Sequence, residues 1–242
     1  SIYNEIKNSM PNESTIYIAD NLNAPYGKKA KSEIIQLSIK NTQKLVDLRC
    51  KLIIVACNTA TTNAIEVLRK KFNIPIVGIE PAIKPAMLET KSNNIGVLAT
   101  EKTLSSNLFL KTSDRFSKGI NIHEQIGFDL VRIIEENGIN EELLIPKLRE
   151  YIEPMLEKNI DHLVLGCTHY YYLMYLLKKI LPNGVKILDS SRAVTKRVKN
   201  LLKDYNIDSN TSKTKNIFLC TGNDNVIKKF LSSNDKISKI TL

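Results

Sequence analysis

KLIIVACNTATTNAIEVLRKKF (Lys51–Phe72) decides the fold. Its apolar run, Leu52–Ala56, reads as a buried strand that passes Cys57 and Thr59 and enters a helical pattern. A second stretch, DHLVLGCTHYYYLMYLLKKI (Asp161–Ile180), repeats the order: apolar strand, Cys167, Thr168, helix. Such a junction lies at the carboxyl end of a strand, where open α/β sheets bind ligands. Two thiols in matching settings point to a pair of acid/base groups facing one small substrate.

Outward from these units, strand patterns recur at Thr15–Ala19, Ile74–Ile79, Asn94–Ala99, His162–Gly166, Val185–Leu188 and Asn216–Cys220. Helical patterns fall between them at Lys31–Leu48, Asn63–Phe72, Glu141–Glu157 and Tyr170–Leu181. In the first of these the repeat steps through Leu37, Lys40, Lys44 and Leu48. Nearly continuous apolar strands are the mark of a parallel sheet covered on both faces. The class is α/β. The matched units predict two similar lobes, each a mainly parallel sheet flanked by helices, with the active site between them. Crossing points near Glu80–Pro81 and Asp189–Ser190 give 1–80 plus 190–242 as the first lobe and 81–189 as the second.

A chain of 242 residues, 43% apolar and 25% charged, buries a substantial core and is globular. No apolar run approaches the ~18 residues of a membrane span, and SIYNEIKNSM (1–10) lacks a signal peptide's apolar core. The expected location is cytoplasmic, with no membrane partner. Four dispersed cysteines fit reduced thiols better than a disulfide framework. The net charge of +10 is spread over scattered lysines, with only short clusters at Lys28–Lys31 and Arg69–Lys71. Without a zinc-finger or RNA-binding signature, nucleic acid is an unlikely partner, and a positive field equally favours a small dianion.

A cysteine at a helix start feels the positive end of the dipole and open amides, which favour its thiolate. Its ordinary pKa of about 8.5 is then expected to approach neutrality, as a general base requires. Asn58 and Thr59 add polar groups suited to a carboxylate, and His169 stands near enough in sequence to serve Cys167. A Cys167–His169 hydrolase is weakened because positions i and i+2 of a helix do not face each other. Cys220-Thr221 also ends a strand and is not excluded by local chemistry, whereas Cys50 precedes its strand and reads as structural. The three histidines show no metal-ligand spacing, so no metal is expected. Neither a G-x-G-x-x-G fingerprint nor a P-loop occurs among the nine glycines. Each polar candidate also has a structural reading: Pro25-Tyr26-Gly27 as a turn, Thr59, Thr100 and Thr168 as caps, Glu135 as a solvated acid.

Taken together, VACNTAT (Val55–Thr61), APYG (Ala24–Gly27), IEPAIK (Ile79–Lys84), LGCTHY (Leu165–Tyr170) and DSS (Asp189–Ser191) resemble the glutamate racemases. These belong to the cofactor-independent aspartate/glutamate racemase superfamily, and the resemblance covers essentially the whole chain. It implies racemisation of glutamate without pyridoxal phosphate or another cofactor, supplying D-glutamate for peptidoglycan. Cys57 would take the α-proton from D-glutamate and Cys167 from L-glutamate, with His169 assisting Cys167. Pro25, Tyr26, Gly27, Asn58, Thr59, Thr100, Thr103 and Thr168 would hold substrate, and Glu135 would match a family acid near the second cysteine. The small-molecule substrate is the partner implied, and a homodimer is possible.

The chain departs from the family in places. The family begins with a strand ending in an Asp-Ser-Gly loop beside the first cysteine. SIYNEIKNSMP (1–11) resembles the helix after that loop, so the chain is read as starting just past it. Tyr171 stands where proline is usual, and Lys102 where a small residue is usual. Aspartate racemisation is the nearest alternative activity. A catalytically impaired carboxylate-binding or regulatory protein is the alternative from another class.

Overall fold

The strands are β1 (Thr15–Ala19), β2 (Ile53–Val55), β3 (Ile76–Gly78), β4 (Asn94–Ala99), β5 (Asn121–Ile126), β6 (His162–Gly166), β7 (Lys186–Leu188), β8 (Asn216–Cys220) and β9 (Ile237–Lys239). They are seen in a computed structural model that describes residues 2–116, 119–209, 213–228, 231 and 236–242. Every strand pairing among the described residues is parallel. The sheets run β1-β8-β9, β2-β3 and β5-β4-β6-β7. The chain is therefore α/β with parallel sheets flanked by helices.

By packing, the chain divides into two compact units. The first comprises Ser1–Val55, Ala64–Gly78 and Ser191–Leu242, and the second Ala56–Asn63 and Ile79–Ser190. Ala56–Asn63 thus groups with the second unit, apart from its neighbours in sequence. In the first unit, helices Ile2–Ser9 and Ser191–Asp204 pack together. Ile2 and Ile6 are buried from one, and Val194, Val198, Leu201 and Leu202 from the other, at the three- and four-residue steps of a helix stripe. Helix Lys31–Asp47 buries Ile34, Ser38 and Thr42 rather than the expected Leu37–Leu48 side. Ser38 is tolerated there because its hydroxyl donates to the Ile34 carbonyl, 2.7 Å away.

The second unit shows why its sheet is buried on both faces. Successive side chains of a strand point to opposite sides. Ile95, Val97 and Ala99 of β4, with Val164 of β6, join a core that includes Ile83, Met87 and Phe109. Leu98, Leu163 and Leu165 face the other way, against Leu130, Ile134, Leu148 and Ile152. The strands β5 and β9 were not expected from sequence. β5 (NIHEQI) carries His123, Glu124 and Gln125 on a sheet edge, so it lacks the apolar run that marks its neighbours. β9 is only three residues long and also lies at an edge.

β4 and β6 pair with Ala99 opposite Gly166. A Cβ at Gly166 would sit 2.6 Å from that of Ala99, a separation real side chains do not tolerate. Gly166→Ala is therefore expected to destabilise the fold by about 1–3 kcal/mol, the usual cost of overpacking. Thermal melting checks this, and an unchanged Tm would mean that the strands separate freely at their ends.

Candidate active site

Cys57 stands between β2 and the helix Asn58–Lys71. That helix begins five residues earlier than its sequence pattern suggested, so Asn58 and Thr59 lie in its first turn. The Ala60 N–H donates to Cys57 Sγ at 3.5 Å, one of the amides a helix start leaves open. Burial pushes the Cys57 thiol up to about 11; the Ala60 amide works against this, and the nearby Cys167 charge adds to it. The expectation of a thiol near neutrality is thus not met at Cys57, because desolvation outweighs the amides. At pH 7 Cys57 is a neutral thiol, able to give a proton.

Around it the polar residues divide by role. Asn58 is buried, and its Oδ1 has no hydrogen-bond partner among the described residues. An orphaned buried acceptor is costly, and a ligand ammonium would satisfy it. The hydroxyls of Thr59, Thr100 and Thr103 close a triangle, with Thr59–Thr100 at 2.8 Å, Thr59–Thr103 at 3.2 Å and Thr100–Thr103 at 3.0 Å. Thr100 is the residue before helix Glu101–Leu104, yet its side chain makes no cap bond. Thr61, by contrast, is structural: its hydroxyl accepts the Ile79 N–H at 3.0 Å.

Cys167 leaves β6 in an extended conformation, φ −146° and ψ 135°. A 3₁₀ helix, Thr168–Leu173, follows it, and the α-helix begins only at Met174. This differs from the continuous helix expected there, and it changes which side chains meet. His169 Nδ1 lies 3.9 Å from Cys167 Sγ, so the argument that positions two apart face away does not apply at an extended cap. Thr168, partly buried, opens the 3₁₀ helix beside them.

On its far side, His169 Nε2 lies 2.6 Å from Glu135 Oε1. Glu135 is carried by helix Leu130–Asn137 and turns inward, whereas Glu136 is exposed and pairs with Arg132 at 3.0 Å. Burial opposes charge on the His169 ring, but its bonds to Cys167 and Glu135 prevail and push it up to about 10. The imidazolium is therefore the form present at neutral pH, and it lies beside the Cys167 thiol. Tyr170 locks the turn: its hydroxyl donates to the Gly127 carbonyl at 3.0 Å, and a Cβ on Gly127 would lie 2.3 Å from that oxygen.

Pro25, Tyr26 and Gly27 belong to the first unit, where Tyr26–Lys28 forms a 3₁₀ turn. The sequence reading missed the residue that organises this loop. Asp20, just past β1, accepts from Asn23 at 2.7 Å, Asn41 at 3.1 Å and Thr221 at 2.8 Å, and from the Tyr26 hydroxyl. An aspartate at the carboxyl end of a strand, three residues before an asparagine, was the available signal. Cys220 ends β8 wholly buried in the first unit, where its thiol donates to the Gly222 carbonyl. Burial also pushes the Cys50 thiol up. Among the described residues no cluster of three or more potential metal ligands occurs.

Glu135→Gln is expected to lower the pKa of His169 from about 10, because a neutral amide stabilises the imidazolium less than a carboxylate. NMR titration of the ring checks this; an unmoved pKa would mean that Glu135 does not hold the charge.

Residues 1–198 match the family described as Asp/Glu/Hydantoin racemase. The glutamate racemase of Ralstonia pickettii is 36% identical over 222 residues, which cover 92% of this chain and 79% of that protein. The crystal structure of glutamate racemase isoform RacE1 from Bacillus anthracis superposes with a TM-score of 0.90 at 27% identity, covering 100% of this chain and 92% of that one. The Escherichia coli glutamate racemase, solved with L-glutamate and the activator UDP-MurNAc-Ala, gives a TM-score of 0.83 at 30% identity over 95% of this chain and 87% of that one. The chain belongs to the Asp/Glu/hydantoin racemase family.

Proposed function

We propose that the chain is a glutamate racemase that moves the α-proton between two thiols, Cys57 and Cys167, without a cofactor. The observation that carries this reading is that two cysteines each follow a parallel strand, Cys57 at a helix start whose Ala60 amide reaches its sulfur and Cys167 beside the His169–Glu135 pair. On this reading the pair holds one proton in common. That is the state a two-base racemase needs: one thiolate removes the proton from one face of Cα and the other thiol returns a proton to the opposite face.

The surrounding groups suit an amino-acid substrate. Asn58 Oδ1 accepts from the ammonium. The hydroxyls of Thr59, Thr100 and Thr103, with Thr168 and the open amides at the helix start, donate to carboxylate oxygens. Pro25, Tyr26 and Gly27 are assigned to substrate binding on the resemblance of their motif alone. The glutamate assignment draws on the relatives, and with it comes the proposed role of supplying D-glutamate for peptidoglycan. The enzyme is read as cytoplasmic; among the described residues no helix is long and apolar enough to cross a membrane.

The two thiols are not equivalent at rest. Cys57 keeps its proton at pH 7, while Cys167 lies against the imidazolium of His169. Cys57 is thus set to deliver a proton in the direction that begins from L-glutamate. This asymmetry cannot favour one enantiomer overall, because L- and D-glutamate have equal free energy and kcat/KM must be the same in both directions. It appears in kcat and KM taken separately.

Cys57→Ser and Cys167→Ser are each expected to lower racemisation in both directions by on the order of 10³-fold, the weight of a positioned acid or base. Chiral chromatography after incubation with either enantiomer measures this. A fully active double variant would sink the two-thiol reading. In addition, Cys57→Ser should still exchange the α-proton of L-glutamate with solvent while failing to exchange that of D-glutamate. The reverse pattern would exchange the assigned faces.

A further inference from the structure

Asn63 lies one helical turn beyond Thr59, half-buried on the helix that starts at Asn58. Its Nδ2 donates to the Thr59 carbonyl at 2.9 Å and to the Lys102 carbonyl at 3.1 Å, with Thr62 Oγ1 at 3.3 Å. A primary amide has two N–H groups. One therefore stays within its own helix and the other crosses to the helix Glu101–Leu104. The Lys102 carbonyl sits in a four-residue helix, where carbonyls have few helical partners, so the bond satisfies an acceptor that the short helix leaves open.

The two carbonyls that Asn63 joins are those of the backbones bearing the hydroxyl triangle. Thr59 itself carries one corner, while Lys102 lies between the other two, Thr100 and Thr103. Threonine has a single side-chain torsion of consequence and that torsion is stiff. Fixing the separation of the two backbones therefore fixes where the three hydroxyls meet. The crosslink also spans 39 residues of chain, which ties the Cys57 helix start to the end of β4.

We infer that Asn63 is a positioning residue for the racemase site: its amide holds the Thr59–Thr100–Thr103 hydroxyls in the spacing that receives the substrate carboxylate. The inference rests on the proposed function. Asn63 touches neither thiol, so it acts on substrate binding and leaves the proton-transfer groups alone.

Asn63→Ser separates the crosslink from the helix. A serine hydroxyl can return a bond to the carbonyl one turn back but is too short to reach Lys102. Steady-state racemisation by the full chain, in both directions, should show KM for glutamate rising about fivefold, as expected for one lost hydrogen bond, with kcat nearly unchanged. In a Thr103→Val background, where the triangle is already broken, the same substitution should shift KM by less than about twofold, because contacting residues are not additive. Thr100→Val provides a second background should Thr103→Val, at a fully buried site, fail to fold. An unchanged KM in an active Asn63→Ser enzyme, or the same factor with and without the triangle, would overturn the inference and leave the racemase reading standing. An inactive wild-type chain would remove both.

Discussion

The pairing of β4 with β6 is the constraint on which the site depends. Ala99 lies opposite Gly166, so Thr100 and Cys167, the next residue of each chain, leave the sheet side by side. On the other flank Ala99 lies opposite Ile126, which brings Gly127 to the same edge. The close approach of Ala99 to Gly166 and of Gly127 to Tyr170 permits no added side chain at either glycine. A shift of register by one residue would turn every side chain to the opposite face. It would pull Thr100 from its bonds with Thr59 and Thr103. Because both faces of this sheet are packed, with Leu98 on one side and Val97 on the other, the register is strongly specified. The core thereby sets the chemistry at its edge.

On that frame the two thiols acquire different surroundings. Cys57 faces amides and hydroxyls, neutral donors that only partly offset its burial. Cys167 faces a histidine whose charge is sustained by Glu135. Cys57 is held as an acid with its proton in place, and the other sulfur lies beside a cation. Transfer of that proton through substrate reverses the arrangement, and the neutral surroundings of Cys57 must then carry the negative charge. The helix start at Asn58, with its unpaired amides, is the local feature that makes this second state attainable.

Much of this was legible in the chain, and the remainder was hidden for physical reasons. The strands Asn94–Ala99 and His162–Gly166 were read to the residue, because burial on both faces leaves a nearly unbroken apolar run. β5 was not, because an edge strand with one wet face keeps polar residues such as Glu124 and Gln125. The helical-spacing argument against a Cys167–His169 hydrolase fails because the cysteine is extended and the next turn is 3₁₀, and His169 lies beside Cys167. Glu135 was named on weak flanking sequence, and nothing local distinguished it from Glu136. Their different fates depend on where His169 arrives from 34 residues away. The bond from Thr221 to Asp20 was hidden for the same reason, since the two lie 201 residues apart. Contacts made across the fold leave little trace in local pattern.

The central claim is that the proton removed and the proton delivered sit on different thiols. Racemisation of L-glutamate in D₂O tests it most directly, with the α-position of both enantiomers followed before appreciable reverse reaction. D-glutamate carrying deuterium at Cα, formed while the remaining L-glutamate keeps its protium, is the expected result. D-glutamate that retains the protium of its parent would mean that one group carries the same proton across, and would contradict the account.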